Sequence, residues 1–470
     1  MRKASFHTAL LAVVLAGSLT AGDDPFQEVD AGAVKARLDA VANSYTTDNV
    51  FMGSILVADG DQVLLDKGYG MANLEWNIPN TPEAKFRIAS LTKQFTAAIV
   101  LLLQDEGKLR IEDAVGKYLP DAPAHWGQIT LAELLGHTSG IPDLTNEKEF
   151  EAWSMNPRTH AEEFAFFRDK PLEFQPGSQY RYSSSGFLVL GLVIEKVSGR
   201  SYADLLHERI LEPLGMKETG LDTDDLILDR RAQGYRKGAD GLKLARSESL
   251  SVPWAAGGMY STSRDLLRWE RGLFGGKVLS DTSLKMMTTA GKGNYGLGVD
   301  VLERYGMKVV SHSGGIEGFS SYLCYQPDRR LAVAVLGNVG GSSAGIAMAF
   351  QLMSVALGKP VVLLTDHKAA ASISKEESSK LAGVYDSSPY DGRITMSVII
   401  AVSSDGLTIK TPNGRETPLI FEGFKDGRPQ FFSRIPIMNT VIEFAPDSSG
   451  SVPRLVAKFN ATELTFARRR

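Results

Sequence analysis

A chain of 470 residues with one cysteine, Cys324, can form no internal disulfide. Its stability must come from burial, which this length supplies in two or three domains. An excess of one charge is also lacking. Fifty-one Lys and Arg stand against 55 Asp and Glu, for a formal net charge of −4, with no long run of either sign. That argues against nucleic acid as a partner. The seven histidines show no His-x-x-x-His pattern and do not cluster with the cysteine, so a zinc site has no support. No apolar run reaches the roughly 20 residues that a membrane-spanning helix needs. Internal repeats are missing too. The apolar neighbours Phe319 and Tyr322 make Cys324 a packed strand residue rather than a reactive thiol.

What is present starts with Met1-Arg2-Lys3, an apolar run over 9–16, small residues over 17–22, and Asp23-Asp24-Pro25. Basic, apolar, small, polar is the order of a secretory signal peptide. We expect cleavage near 18–22 and a periplasmic or secreted mature protein. No cysteine at that junction offers a lipid anchor.

Val29, Val34, Leu38 and Val41 fall at helical spacing. The segment 53–70, turning at Asp59-Gly60, reads as a β-hairpin. Residues 90–215 read mainly as helices, punctuated by Pro120, Pro142, Pro157, Pro171, Pro176 and Pro213. Strand patterns return at 308–313, 319–326 and 331–338. An antiparallel sheet built from both ends of this region, flanked by helices and carrying a helical subdomain, is an α/β arrangement. The polar stretch 359–380 reads as a linker. Beyond it, turns at Asp405-Gly406, Asn413-Gly414 and Asp426-Gly427 separate short strands, the pattern of a small all-β sandwich or barrel. The expected organisation is a signal peptide (1–22), an α/β domain (23–358), a linker (359–380) and a β-barrel-like domain (381–470).

Ser90-Leu91-Thr92-Lys93 opens an apolar helical run. Positions i and i+3 share a helix face, so an amine stands beside a hydroxyl that is a poor nucleophile until its proton is taken. The helix start adds N–H groups suited to a developing anion. The pattern alone is weak, and Ser372-Ile373-Ser374-Lys375 is a decoy in a polar stretch with no apolar helix behind it. A second element is Tyr182-Ser183-Ser184, in a hydroxyl-rich turn before the apolar helix 188–197. A phenol near two cations can lose its proton well below its free pKa of about 10 and then act as general base and as proton donor. The third is Ser311-His312-Ser313-Gly314-Gly315, where a strand leads into glycines that allow close approach of backbone and ligand.

Together the three elements resemble the signature of the penicillin-recognising serine hydrolases: β-lactamases, D-alanyl-D-alanine peptidases and related esterases. Gly136-His137-Thr138-Ser139-Gly140-Ile141-Pro142, Glu212-Pro213-Leu214-Gly215, Ala256-Gly257-Gly258-Met259-Tyr260-Ser261-Thr262 and Tyr295-Gly296-Leu297-Gly298 resemble the class C branch in order and spacing. The likeness covers roughly 30–355. It implies acylation of Ser90, with Lys93 and Tyr182 as the two base candidates. Ser184, His312, Gly314 and Gly315 would bind substrate, and the N–H groups of Ser90 and Gly315 would form an oxyanion hole. It requires no cofactor and no metal. The substrate would be a small molecule or peptide: a D-residue peptide, an ester or a β-lactam. A catalytically silent protein binding cell-wall ligands is the alternative. His137 reads as structural, and Asn460-Ala461-Thr462 as a chance glycosylation match. The C-terminal strands resemble a lipocalin-like domain that, in relatives, would shape access to the cleft.

Two departures stand out. Ser184 occupies the place of an asparagine, and a hydroxyl has shorter reach than an amide. That predicts weaker handling of amides, β-lactams included, than of esters. His312 replaces a lysine variant, which predicts tighter binding of carboxylate substrates as pH falls toward 6.

Overall fold

The computed structural model describes residues 31–469 except 47–50, 239–240, 247, 342–343, 368–372, 388–396, 404–405, 411–415, 436–437, 448–450 and 460–461. The expected signal peptide and the Asn460 match therefore lie outside the described residues, as does Ser372 of the decoy motif.

Six antiparallel strands form the central sheet. Gly53–Asp59 (β1) and Gln62–Tyr69 (β2) come from one end of the region. Asp300–Arg304 (β3), Met307–Ile316 (β4), Phe319–Gln326 (β5) and Leu331–Gly337 (β6) come from the other. The order is β3-β4-β5-β6-β1-β2, so the two ends meet where β1 pairs with β6, Gly53 opposite Gly337 and Asp59 opposite Leu331. Alternate residues serve two cores. Ile55, Val57, Val309, Cys324, Val333 and Val335 face the helices Ala31–Thr46 (α1) and Ala344–Ala356, whereas Leu56, Val310, Leu323, Ala334 and Leu336 face the helical subdomain. Both sheet faces are thus covered, which is why β1 and β6 read as nearly unbroken apolar runs. Cys324 is buried, and burial holds its thiol well above the ordinary range.

The helical subdomain is built around Thr92–Asp105 (α2) and Ser184–Ser198 (α3). Almost every residue of α2 is buried, Lys93 and Thr96 included. A capping box at Thr130, with Glu133 reaching back, fixes the short helix Leu131–Leu135 beneath α3. Trp126 packs against Phe164 and Phe167 at ring separations of 5.6 and 6.3 Å, closing the far end.

After a single-turn helix at Leu364–Asp366 and the helix Lys375–Leu381, eight antiparallel strands from Gly383–Ser387 to Thr462–Arg468 close into a barrel. Tyr385, Phe431, Phe444 and Phe466 fill its interior, the usual outcome at this strand number. Phe432 points the other way, into the core shared by α1 and Ala344–Ala356, with His367 stacked on it at 3.7 Å and bonded to Glu422. Among the described residues, no helix is long and apolar enough to cross a membrane, and no group of side chains forms a metal-binding cluster.

Candidate active site

The backbone before Ser90 is held by one backbone strand contact and by two hydroxyl side chains. Ile88 N–H donates to Met259 O at 2.9 Å, and Ser321 Oγ donates to Ile88 O at 2.8 Å. Thr92 Oγ1 donates to Ala89 O at 2.7 Å and accepts from Met259 N–H at 3.2 Å. Ala89 is forced to φ +49°, a left-handed value that costs a non-glycine residue stability. Ser90 follows in a tight 3-10 turn, Ala89–Leu91, that feeds α2. Its hydroxyl reaches the wall of a cleft of about 530 Å³.

Lys93 lies one turn on, fully buried, with Nζ 3.1 Å from Ser90 Oγ. It donates to Ala256 O at 2.8 Å and lies 3.5 Å from Ser184 Oγ. The rings of Tyr182 and Phe187 flank it at 4.9 and 5.4 Å. Among the described residues, no carboxylate touches it. Burial therefore dominates and brings its pKa down to about 7, with the more distant charge of Asp143 opposing. Two donor positions face Ala256 O and Ser184, which leaves the lone pair of a neutral amine for the Ser90 proton.

Tyr182 stands beside Ser90 and hydrogen-bonds with it. The expectation of an acidified phenol is corrected here. Burial pushes the Tyr182 pKa well above 10, and Asp143, Tyr180 and Asp300 push the same way. At neutral pH it is a phenol with a proton to give. The turn that carries it is set by His137, whose carbonyl accepts from Arg181 N–H at 2.9 Å and whose Nδ1 accepts from Ser183 N–H at 3.2 Å. The histidine ring lies 4.3 Å from the Tyr182 ring. Helix α3 begins at Ser184, four residues before the apolar run that announced it, so Ser184 sits in its first turn facing Lys93.

The strand β4 runs through the glycines rather than ending at them. A Cβ on Gly314 would sit 2.2 Å from Ile88 O and from Ser321 Oγ, so only glycine lets β4 approach the Ser90 turn. Gly315 faces open space and lines the cleft with Ser90, Tyr182 and Ser184. Gly314 and His312 lie behind that wall. His312 is buried, with Nδ1 bonded to its neighbour's carbonyl, Ser313 O, at 2.5 Å and Nε2 at 2.8 Å from the Tyr295 hydroxyl. Burial and the nearby Lys93 hold its pKa at about 3. Burial thus disfavours a cationic His312 at pH 6 and argues against the expected tightening toward carboxylate substrates.

Three contributors escaped sequence reasoning. Ala256 acts through its carbonyl, inside a segment that had been singled out for other reasons. Asp143 directly follows Pro142 of a matching segment, and its position there was the only signal. Glu248, which also lines the cleft, follows a polar stretch that carries no pattern at all. None of the lining residues belongs to the barrel, so the expected shaping of access by that domain finds no support among the described residues.

The family model described as beta-lactamase matches residues 40–356. The chain belongs to the beta-lactamase family. Within this family it is 30% identical over 310 residues to penicillin-binding protein 4* of Bacillus subtilis, covering 61% of this chain and 68% of that protein. Further curated relatives are spanned to 59% of their length. The solved octameric penicillin-binding protein homologue from Pyrococcus abyssi is similar over 93% of this chain and 100% of its own, at 25% identity and a TM-score of 0.64. The D-amino acid amidase of Ochrobactrum anthropi, in complex with D-phenylalanine, is similar over 69% of this chain and 99% of its own, at 25% identity and a TM-score of 0.62. Fold and family together are those of a beta-lactamase-fold serine hydrolase.

Proposed function

We propose that the protein hydrolyses ester and amide acyl donors through an acyl-Ser90 intermediate. The observation that carries this reading is the buried Lys93 amine, in contact with no carboxylate among the described residues and 3.1 Å from Ser90 Oγ, with its pKa brought to about 7. Neutral Lys93 takes the Ser90 proton as Oγ attacks the acyl carbon. The N–H groups of Ser90 and Gly315 receive the oxyanion. Tyr182 gives its phenolic proton to the leaving group and regains one from Lys93, so the proton count closes. Water then attacks the acyl-Ser90 ester by the same route in reverse, releasing the acid and free serine.

Esters are favoured over β-lactams and other amides. Ser184 Oγ is 3.5 Å from Lys93 Nζ, too far for a strong bond and too short to grip a substrate amide as well. The D-amino acid amidase and penicillin-binding relatives support D-configured acyl donors as the stereochemical preference. The basic, apolar, small order of residues 1–22 supports export to the periplasm or exterior.

The test uses a fluorophosphonate and a labelled penicillin on the wild type and on Ser90→Ala. Rapid labelling by the first, slow or no labelling by the second, and none in Ser90→Ala is the expected result. Labelling by neither would favour a catalytically silent binding protein.

A further inference from the structure

The cleft has an unusual charge inventory. Its walls are largely apolar, contributed by Leu144, Phe150, Leu188, Val252 and Ile316. Among the described residues that line it, the charged ones are two carboxylates, Asp143 and Glu248. Behind the wall, burial brings the pKa of Lys93 down to about 7, so that it is only partly charged at neutral pH, and burial likewise disfavours a charge on His312. Such a cleft is built against a substrate carboxylate.

The two acids differ in what occupies them. Asp143 accepts from Thr145 N–H at 3.0 Å, capping a turn, and it supplies the field at Lys93. Glu248 takes part in no ion pair among the described residues. Its carboxylate accepts the backbone N–H of Glu317, and the neighbouring Glu317 side chain is also negative. Arg87, a cation that acts on it, is committed to Asp222 at 3.1 Å and lies over the Phe319 ring. Burial, then Glu317, raises the Glu248 pKa to about 7, with Arg87 opposing. A partly buried carboxylate without a cation is a cost the fold leaves uncompensated.

Its placement gives the cost a use. The Glu317 N–H that holds Glu248 lies two residues beyond Gly315 in the chain, at the tip where β4 turns into β5. Glu317 is the first residue past the end of β4, in the turn, so it lies within roughly 7 Å of Gly315. An acyl group whose oxygen sits at Gly315 therefore places substituents on its acyl side within reach of Glu248.

We propose that Glu248 selects acyl donors bearing a free ammonium group on the acyl side of the scissile bond, as in an amino acid ester or a short peptide with an unblocked amine. The inference rests on the acyl-Ser90 reading and adds the substrate's charge to it. The ammonium ion pairs with Glu248, and the apolar walls receive the adjoining side chain.

The experiment compares D-alanine methyl ester with N-acetyl-D-alanine methyl ester at pH 7, in wild type, Glu248→Gln and Glu248→Ala. The quantity read is the ratio of kcat/KM for the free amine to that for the acetylated ester, which cancels common changes in Ser90 reactivity. The ratio should fall about tenfold or more in both variants, mostly through KM, as expected for a lost charged pair in a cleft. A ratio unchanged within about twofold in either folded variant overturns the role of Glu248. If wild type cleaves neither ester and a fluorophosphonate fails to label Ser90, it is the acyl-enzyme reading that fails instead.

Discussion

Lys93 and Lys85 are both buried, at 0% and 5% exposure, yet the fold gives them opposite chemistry. Lys85 Nζ bonds Asp229 at 2.5 Å and Glu218 at 2.8 Å, and these partners raise its pKa in spite of burial. Lys93 meets a carbonyl, two hydroxyls and two aromatic faces, and its pKa falls to about 7. Burial sets the direction only where no carboxylate is in contact. On the proposed reading, the difference teaches that activation at Ser90 would depend as much on what was kept out of the site as on what was put in. The same logic runs inversely at Glu248, an acid with no ion-pair partner among the described residues.

The largest effect should come from Lys93→Met. Acylation of Ser90 should fall about a thousandfold or more, read as the rate of fluorophosphonate labelling. Stability should move the other way. A lysine held at about pKa 7 instead of 10.5 costs the folded state about 5 kcal/mol below pH 7, and this cost fades as pH rises toward 10.5. The gain in melting temperature for Lys93→Met should therefore be largest in acid and shrink in alkali. Lys85→Met should do the reverse: a loss of roughly 1–3 kcal/mol in denaturant unfolding, because two half-exposed carboxylates lose their cation, with Ser90 labelling retained by the folded fraction. Equal destabilisation by both substitutions would break the comparison.

Ser184→Asn sharpens it. An amide at this position reaches Lys93 and a substrate amide together, so the ratio of penicillin acylation to ester hydrolysis should rise by about tenfold. No change in that ratio would remove Ser184 as the source of substrate bias. The smallest effect belongs to Asp143→Asn. Asp143 is a charge that supports protonated Lys93, so its neutralisation should move the acid limb of the rate profile to lower pH by about a fraction of a unit to one unit. A shift to higher pH would contradict that assignment.

Much of the molecule was legible in the sequence, for reasons that differ by region. β1, β5 and β6 announce themselves because both faces are buried and the residues read as apolar runs. The Ser90–Lys93 contact follows from one helical turn. The turn-rich C-terminal segment suggested a sandwich or a barrel, and only the pairing of Gly383–Ser387 with Thr462–Arg468 closes it. Long-range surroundings were not legible. The Tyr182 phenol does lie beside Lys93, as expected, but burial outweighs that cation, and Asp143, Tyr180 and Asp300, remote in sequence from one another, add to the rise. His312 was expected to face substrate, but the Tyr295 hydroxyl and the Ser313 carbonyl hold it inside. Side-chain burial depends on which strands and turns come together, and local pattern does not encode that.

The most direct test is the pH dependence of fluorophosphonate labelling of Ser90. With Lys93 as the base, the rate rises about tenfold per pH unit in acid, bends near pH 7 and stays level through pH 9. A rate that keeps climbing to pH 10 or beyond would mean that an ordinary lysine or the Tyr182 phenol takes the proton, and would contradict the account.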